Sequence, residues 1–332
     1  MINPFVLLLL GLTVGILTGF FGVGGAFLLT PALNILGLHM VHAIGTGFFT
    51  LVGKTLFGAV KHHRLGNIDL RLGIIIGIFS GAGVELGKRL VLYLEKLNLT
   101  GTYVRVAYII LLVLISIFMM REYYLYLKTK QTGQEGETVK MQKKKSALIH
   151  QIHGIGLPPK ISLLHGEVNS ISIWVLIVFG ILIGFLSGFM GLGGGFISLP
   201  VLIYVIGLPA IRAVGTTLVI VFFTSCYGTV AYAIAGRVEW IPGLIILAGS
   251  LIGVQMGVYA TKYVTGVRIK ILFALLLLFV AISVFLKQIN VVTISSYIIV
   301  SSACALCLVI LFPLGKNLLA RTSSQGKSKS QS

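Results

Sequence analysis

Long apolar runs alternate with short polar gaps along almost the whole chain. The first run, Phe5 to Leu38, is too long for one ordinary helix, and Gly22-Val23-Gly24-Gly25 interrupts it. Runs follow at about Val41 to Val60, Leu70 to Leu94 and Tyr103 to Met120. A polar stretch then extends to Ser170. Its later part, Lys160 to Val168, alternates enough for a short hairpin. Apolar sequence resumes at Ile171 to Gly207, again overlong and again broken, at Gly191-Leu192-Gly193-Gly194-Gly195. Ile211 to Ala235, Trp240 to Ala260, Ile269 to Leu286 and Thr293 to Leu314 complete the series. A helix needs about 20 apolar residues to cross roughly 30 Å of hydrocarbon. The pattern therefore predicts an all-α polytopic membrane protein of about nine spans, arranged as two homologous four-helix repeats with glycine-broken helices plus one extra C-terminal span. The expected divisions are 1–121, first repeat; 122–170, polar basic linker; 171–287, second repeat; 288–315, extra span; and 316–332, disordered tail.

The repeat is read residue by residue. Gly19-Phe20-Phe21-Gly22-Val23-Gly24-Gly25-Ala26-Phe27 with Pro31 matches Gly188-Phe189-Met190-Gly191-Leu192-Gly193-Gly194-Gly195-Phe196 with Pro200. After a one-residue shift, Ala43-Ile44-Gly45-Thr46 matches Ala213-Val214-Gly215-Thr216, and Gly66-Asn67-Ile68-Asp69 matches Gly236-Arg237-Val238-Glu239. Gly83 to Gly87 matches Gly253 to Gly257. General resemblance between glycine-rich apolar helices does not account for the polar pairs Thr46/Thr216 and Asp69/Glu239.

Composition changes the picture little. Of 332 residues, 57% are hydrophobic and 10% charged, against about 25% charged in soluble domains. The net charge of +18 does not point to nucleic acid, because the cations sit in the gaps between apolar runs, where anionic lipids attract them. Met1 to Pro4 carries no lysine or arginine, so the first run is expected to stay as a spanning helix rather than serve as a signal peptide. Cys226, and Cys304 with Cys307, have apolar neighbours and read as small packing residues. No Ser/His/Asp set, metal-ligand cluster or phosphate loop is apparent, so neither an enzyme nor a cofactor is expected.

Candidate chemistry lies on the repeated glycines and on a few polar residues within the spans. Glycines spaced by four (Gly11, Gly15, Gly19; Gly180, Gly184, Gly188; Gly73, Gly77, Gly81; Gly249, Gly253, Gly257) form flat strips for helix packing. The breaks, with Gly22, Gly24 and Gly25 and with Gly191, Gly193, Gly194 and Gly195, differ from these strips. They free backbone N–H groups that cannot face lipid, and they start half-helices whose N-termini attract anions. Paired broken segments in two halves point to a midplane binding site. The competing reading is a kink that lets helices cross. Thr46, Thr216 and Thr217 could cap a helix, donate to a substrate or bond back to their own helix. Lys54 lies mid-span, where a charge costs at least ~2.5–3.5 kcal/mol. Glu85 and its counterpart Gln255 are candidates for coupling; Glu85 could pair with Lys54, or be interfacial beside Lys88-Arg89. His62 and His63, flanked by Lys61 and Arg64, read as a headgroup-facing cluster.

Through the doubled breaks, prolines, A-x-G-T and G-x-[VI]-[DE] motifs, the chain resembles the TauE/SafE family of sulfite exporters and their relatives, across both halves. The resemblance implies transport of a small sulfur-containing anion, such as sulfite or an organosulfonate. The linker, the ninth span and the Ala26/Gly195 difference depart from the duplicated unit. Counted over nine spans, lysines and arginines divide almost evenly between the two sides, and the dense Lys143 to Lys145 cluster favours a cytoplasmic linker. The expected partners are a small anionic substrate and membrane lipids, with room for a homo-oligomer. The leading expectation is a secondary transporter in the cell membrane. An anion channel and a non-transporting scaffold are the alternatives.

Overall fold

The computed structural model describes residues 3–64, 66–132, 158–162, 170–260 and 266–329. It contains α1 (Pro4–Phe21), α2 (Ala26–Ile35), α3 (Met40–Arg64), α4 (Leu70–Lys96), α5 (Thr100–Thr132), β1 (Lys160–Ser162), β2 (Ser170–Ser172), α6 (Ile173–Met190), α7 (Gly195–Tyr204), α8 (Ala210–Ile234), α9 (Trp240–Ala260), α10 (Gly266–Gln288) and α11 (Val292–Lys329). Nine of the described helices are long and apolar enough to cross a membrane, and large apolar side chains such as Ile78, Leu114 and Leu182 stand exposed on their outer faces. The protein is a multi-pass α-helical membrane protein.

Local chemistry sets the helix ends. Asn3 accepts from Phe5 N–H ahead of Pro4, which can open a helix because it needs no donor there. Asp69 caps α4 by accepting from Leu72 N–H at 3.2 Å. Gly22 ends α1 and Gly191 ends α6, both in the left-handed conformation, with φ of 72° and 73°.

The glycine strips decide which helices meet. Gly11, Gly15 and Gly19 of α1 lie directly on the backbones of Ile246, Ser250 and Val254 in α9, and Gly249, Gly253 and Gly257 return the contact against Leu8, Leu12 and Ile16. Gly180, Gly184 and Gly188 of α6 lie on Ile76, Ser80 and Val84 in α4, and Gly83 and Gly87 return that contact. The leading helix of each half thus packs against a helix of the other half. Gly73, Gly77 and Gly81 also pack, but against Val219, Phe223 and Tyr227 of α8. A Cβ at Gly15 or Gly184 would overlap the facing backbone, which no rotamer change relieves. Gly15→Leu and Gly184→Leu should each lose most folded protein, read as the monodisperse fraction after detergent extraction.

The register of these contacts fixes direction. Contacts between α1 and α9 advance together along both helices, so the two are parallel, as are α4 and α6. The start of α9 lies beside the start of α3, where His42 Nδ1 is 2.9 Å from Glu239 Oε1. The start of α4 lies beside the start of α8, where Asp69 N–H donates to Thr216. Hence α1 and α6 enter from opposite ends, and the halves are inverted relative to each other. Moreover, α2 leads from the break straight back to the start of α3, at the end where α1 entered. The hairpins α1–α2 and α6–α7 are therefore re-entrant and do not carry the chain across.

This corrects the even division of basic residues over nine crossings. Lys88, Arg89, Lys96, Arg105, Arg237 and Lys287 fall at the end opposite the linker. Apart from Lys54, the other lysines and arginines among the described residues lie on helices near their linker ends or on the linker strand.

Other boundaries shift. Helix α5 runs to Thr132, beyond the division at 121, and α11 continues helically through 316–329, where a disordered tail is expected. Leu318, Leu319 and Ala320 in that stretch are good helix formers. The first strand lies where alternation predicts, but Lys160–Ser162 pairs antiparallel with Ser170–Ser172, beyond the expected end at Val168. The rest of the linker, 133–157 and 163–169, lies outside the described residues.

Candidate functional site

The two glycine breaks come together halfway along the helices. A Cβ on Gly24 would stand 3.0 Å from Leu51 Cδ2 and 3.5 Å from Val221 Cγ1. One on Gly193 would overlap Leu51 and stand 3.1 Å from the same Val221 atom. Leu51 and Val221 are repeat counterparts near the middles of α3 and α8, which run in opposite directions, so the meeting point is central. Gly195 abuts the other break directly, since its Cβ would stand 2.6 Å from the Val23 carbonyl oxygen. The counterparts Ile44 and Val214 likewise back Gly191 and Gly22.

Gly22, Gly24, Gly25, Gly191, Gly193 and Gly194 all have φ between 68° and 81°, a conformation side chains with a Cβ adopt at a cost. Among the described residues, the N–H groups of Val23 to Phe27 and of Leu192 to Phe196 donate to no backbone carbonyl; bonding resumes at Leu28 and at Ile197. Two half-helix N-termini, those of α2 and α7, open at this place with donors to spare.

The carbonyl side is satisfied, unequally. Tyr108 OH donates to Met190 O and Tyr232 OH donates to Gly188 O, each at 2.7 Å, and Thr30 Oγ1 donates to Gly191 O at 3.3 Å. These three hydroxyls quiet the negative end of α6 beside the site. Both tyrosines are fully buried, and a hydroxyl-bearing ring inside an apolar run is the signal that could have found them. Removing either hydroxyl strands a buried carbonyl, at about 1–3 kcal/mol. Tyr108→Phe and Tyr232→Phe should each lower the unfolding temperature measurably while their proteins still fold.

Lys54 is 0% exposed, and its Nζ is among the buried polar atoms without a hydrogen-bond partner in the described residues, as is Thr217 Oγ1. Lys54 stands one turn along α3 from Leu51, and Thr217 one turn along α8 from Val221. Both turns point to the linker end, and between these levels Gly58 of α3 meets Leu218 of α8. Two unsatisfied polar groups therefore sit one helical turn, on the linker side, from the residues that touch both breaks. The repeat counterpart of Lys54, Thr224, is satisfied by Ile220 O at 2.8 Å and Ser80 Oγ at 2.6 Å.

Aromatic rings shut the site. Repeat-matched Phe27 and Phe196 stack with centroids 5.6 Å apart, and Phe273 of α10 lies against both, at 5.5 and 5.8 Å. Every residue of both breaks is buried.

The remaining candidates lie elsewhere. Thr46 Oγ1 accepts from Glu239 N–H and Thr216 Oγ1 from Asp69 N–H, each at 3.0 Å, so each threonine holds the start of a helix in the opposite half. Glu85 does not pair with Lys54. Its carboxylate meets Lys88 Nζ at 2.6 Å and Arg89 Nε at 3.1 Å, and accepts from Tyr227 OH at 3.2 Å. Gly83 and Gly87 turn inward to α6, which directs Glu85 to the outer side, and Gln255 is exposed on the matching face of α9. His63 is exposed and His62 half-buried at the linker end of α3.

The family model described as sulfite exporter TauE/SafE matches residues 7–284. Two Bacillus subtilis (strain 168) proteins are similar along most of their length. One, named probable membrane transporter protein YunE, is 26% identical over 260 residues, covering 76% of this chain and 86% of its own. The other, named probable membrane transporter protein YdhB, is 26% identical over 259 residues, covering 77% and 89%. A Methanocaldococcus jannaschii protein, named probable membrane transporter protein MJ0441, is 25% identical over 271 residues, covering 79% and 85%. No solved structure matches the chain. With the family model spanning both inverted halves and both breaks, the chain belongs to the TauE/SafE sulfite exporter family of membrane transporters.

Proposed function

We propose that the protein is a secondary carrier for a small oxyanion, sulfite or a related sulfonate, bound where the two glycine breaks meet. One observation carries this reading: unpaired N–H donors from two half-helix N-termini converge beside a buried lysine with no counter-ion among the described residues. A dianion or monoanion supplies what each of these groups lacks. Backbone donors at Gly24, Gly25, Gly193 and Gly194 hold its oxygens, and Lys54 and Thr217 approach from the linker side. Thr46 and Thr216 tie one half to the other and do not touch the substrate. Burial behind Phe27, Phe196 and Phe273 favours a carrier over a channel, because a conducting pore needs a continuous opening. Exchange of access follows from inverted halves moving against each other. The excess of basic residues at the linker end supports a cytoplasmic linker.

Proteoliposomes loaded with radiolabelled sulfite or sulfoacetate test the proposal. Flux should saturate with concentration. Flux that rises linearly with voltage and concentration would establish a channel, and no flux across a panel of sulfur and carboxylate anions would remove the transport reading.

A further inference from the structure

At the end opposite the linker the helices leave a polar cavity of about 440 Å³. Its wall comes from the α2–α3 connection, the α4–α5 connection and the last turn of α10, and it includes Asn34, His39, Asn98, Arg105 and Lys287. Arg105 is held in place by neutral acceptors: its Nε donates to Gln288 Oε1 at 2.7 Å and its Nη1 to Asn34 Oδ1 at 3.4 Å. Asn34 is itself fixed by donating to Leu38 O at 2.9 Å. Among the described residues no carboxylate pairs with Arg105 or Lys287. The one carboxylate in the wall, Glu95, is engaged by Arg237 Nε at 3.1 Å. The first turns of α3 and α5, at Met40-Val41 and Thr100-Gly101, also open onto this space, adding N–H donors and positive helix ends. Cations are scarce at this end of the molecule, and two of the six line one cavity without compensation.

Helix α2 joins this cavity to the central site. Its N-terminus starts at the break and its other end, at Asn34 and Ile35, reaches the cavity wall, a distance of about 15 Å for ten residues. We infer that the cavity is a second oxyanion site, an outer vestibule in which Arg105 and Lys287 concentrate the transported anion before it reaches, or after it leaves, the glycine breaks. The inference rests on the carrier reading above. The same chemistry would also take the phosphate of an anionic lipid headgroup, so the test must separate the two.

The full-length protein is reconstituted in phosphatidylcholine vesicles, with and without phosphatidylglycerol, and saturable sulfite flux is measured from the face opposite the linker. Lys287→Gln, which breaks no hydrogen bond among the described residues, should raise KM about tenfold with little change in maximal flux. Arg105→Gln should do the same, and Arg105→Lys should recover most of the loss. Added inert salt should raise the wild-type KM more than that of either glutamine variant. Wild-type KM in both glutamine variants would overturn the inference. So would native mass spectrometry that finds a bound phosphatidylglycerol lost in Lys287→Gln while KM stays fixed, since the cavity would then be a lipid site. A wild type that moves no anion would instead overturn the carrier reading.

Discussion

Lys54→Met should abolish saturable anion flux and at the same time raise the temperature at which the protein unfolds. The two effects point in opposite directions because Lys54 is a burden to the empty fold. Its ammonium is fully buried mid-helix and its Nζ lacks a hydrogen-bond partner among the described residues. Insertion scales put such a charge at about 2.5–3.5 kcal/mol, and methionine fills similar volume without it. Truncating one member of a buried ion pair usually destabilises, because the other charge is stranded. Here no carboxylate among the described residues is stranded: Glu85 is satisfied by Lys88, Arg89 and Tyr227. Loss of flux should exceed a hundredfold, the scale of about 2.7 kcal/mol of anion binding. Paired flux and thermal-unfolding measurements check both halves of the prediction. A destabilised variant that still transports would assign Lys54 a packing role.

The second large effect belongs to Gly193. Gly193→Val forces a β-branched side chain to φ of 68° and overlaps Leu51. The backbone strain is about 1–2 kcal/mol, and relief requires the turn to open, which re-aims the N–H donors. Flux should fall by two orders of magnitude or more. Gly24→Ala, whose Cβ would stand 3.0 Å from Leu51, should fall by less. Gly66→Ala separates strain from site. Gly66 has the same sign and size of φ, at 69°, but open space around it, so its variant should lose only the backbone-strain part of that stability and transport normally. Equal flux from Gly193→Val and Gly66→Ala would leave the breaks as turns only.

The breaks were legible in the sequence because consecutive glycines in an apolar run have few explanations, and their repetition at a near-constant offset made them one feature. The packing strips were legible for the same reason. Re-entrance was not. Hydropathy reports how apolar a segment is, and α1, with 18 residues, is long enough to span; only the contacts at Glu239 and Asp69 reveal which ends lie together. That one error made the basic residues look evenly divided. Thr46 and Thr216 stood out in the sequence, but not which helix start each one meets, because those contacts join residues 193 and 147 positions apart. Counting over nine crossings also hides that Arg105 and Lys287 share one end, where Arg105 bonds the neighbour of Lys287. The family resemblance implied a class of cargo and said nothing of the groups that would bind it.

Selenite is the selenium counterpart of sulfite and scatters X-rays anomalously, so a crystal grown with it would locate the anion directly. The account predicts an anomalous peak within hydrogen-bonding reach of the N–H groups of Gly24 and Gly193 and beside Lys54 Nζ, lost in Lys54→Met crystals. A protein that transports selenite with saturation yet shows no peak between the two glycine breaks would contradict it.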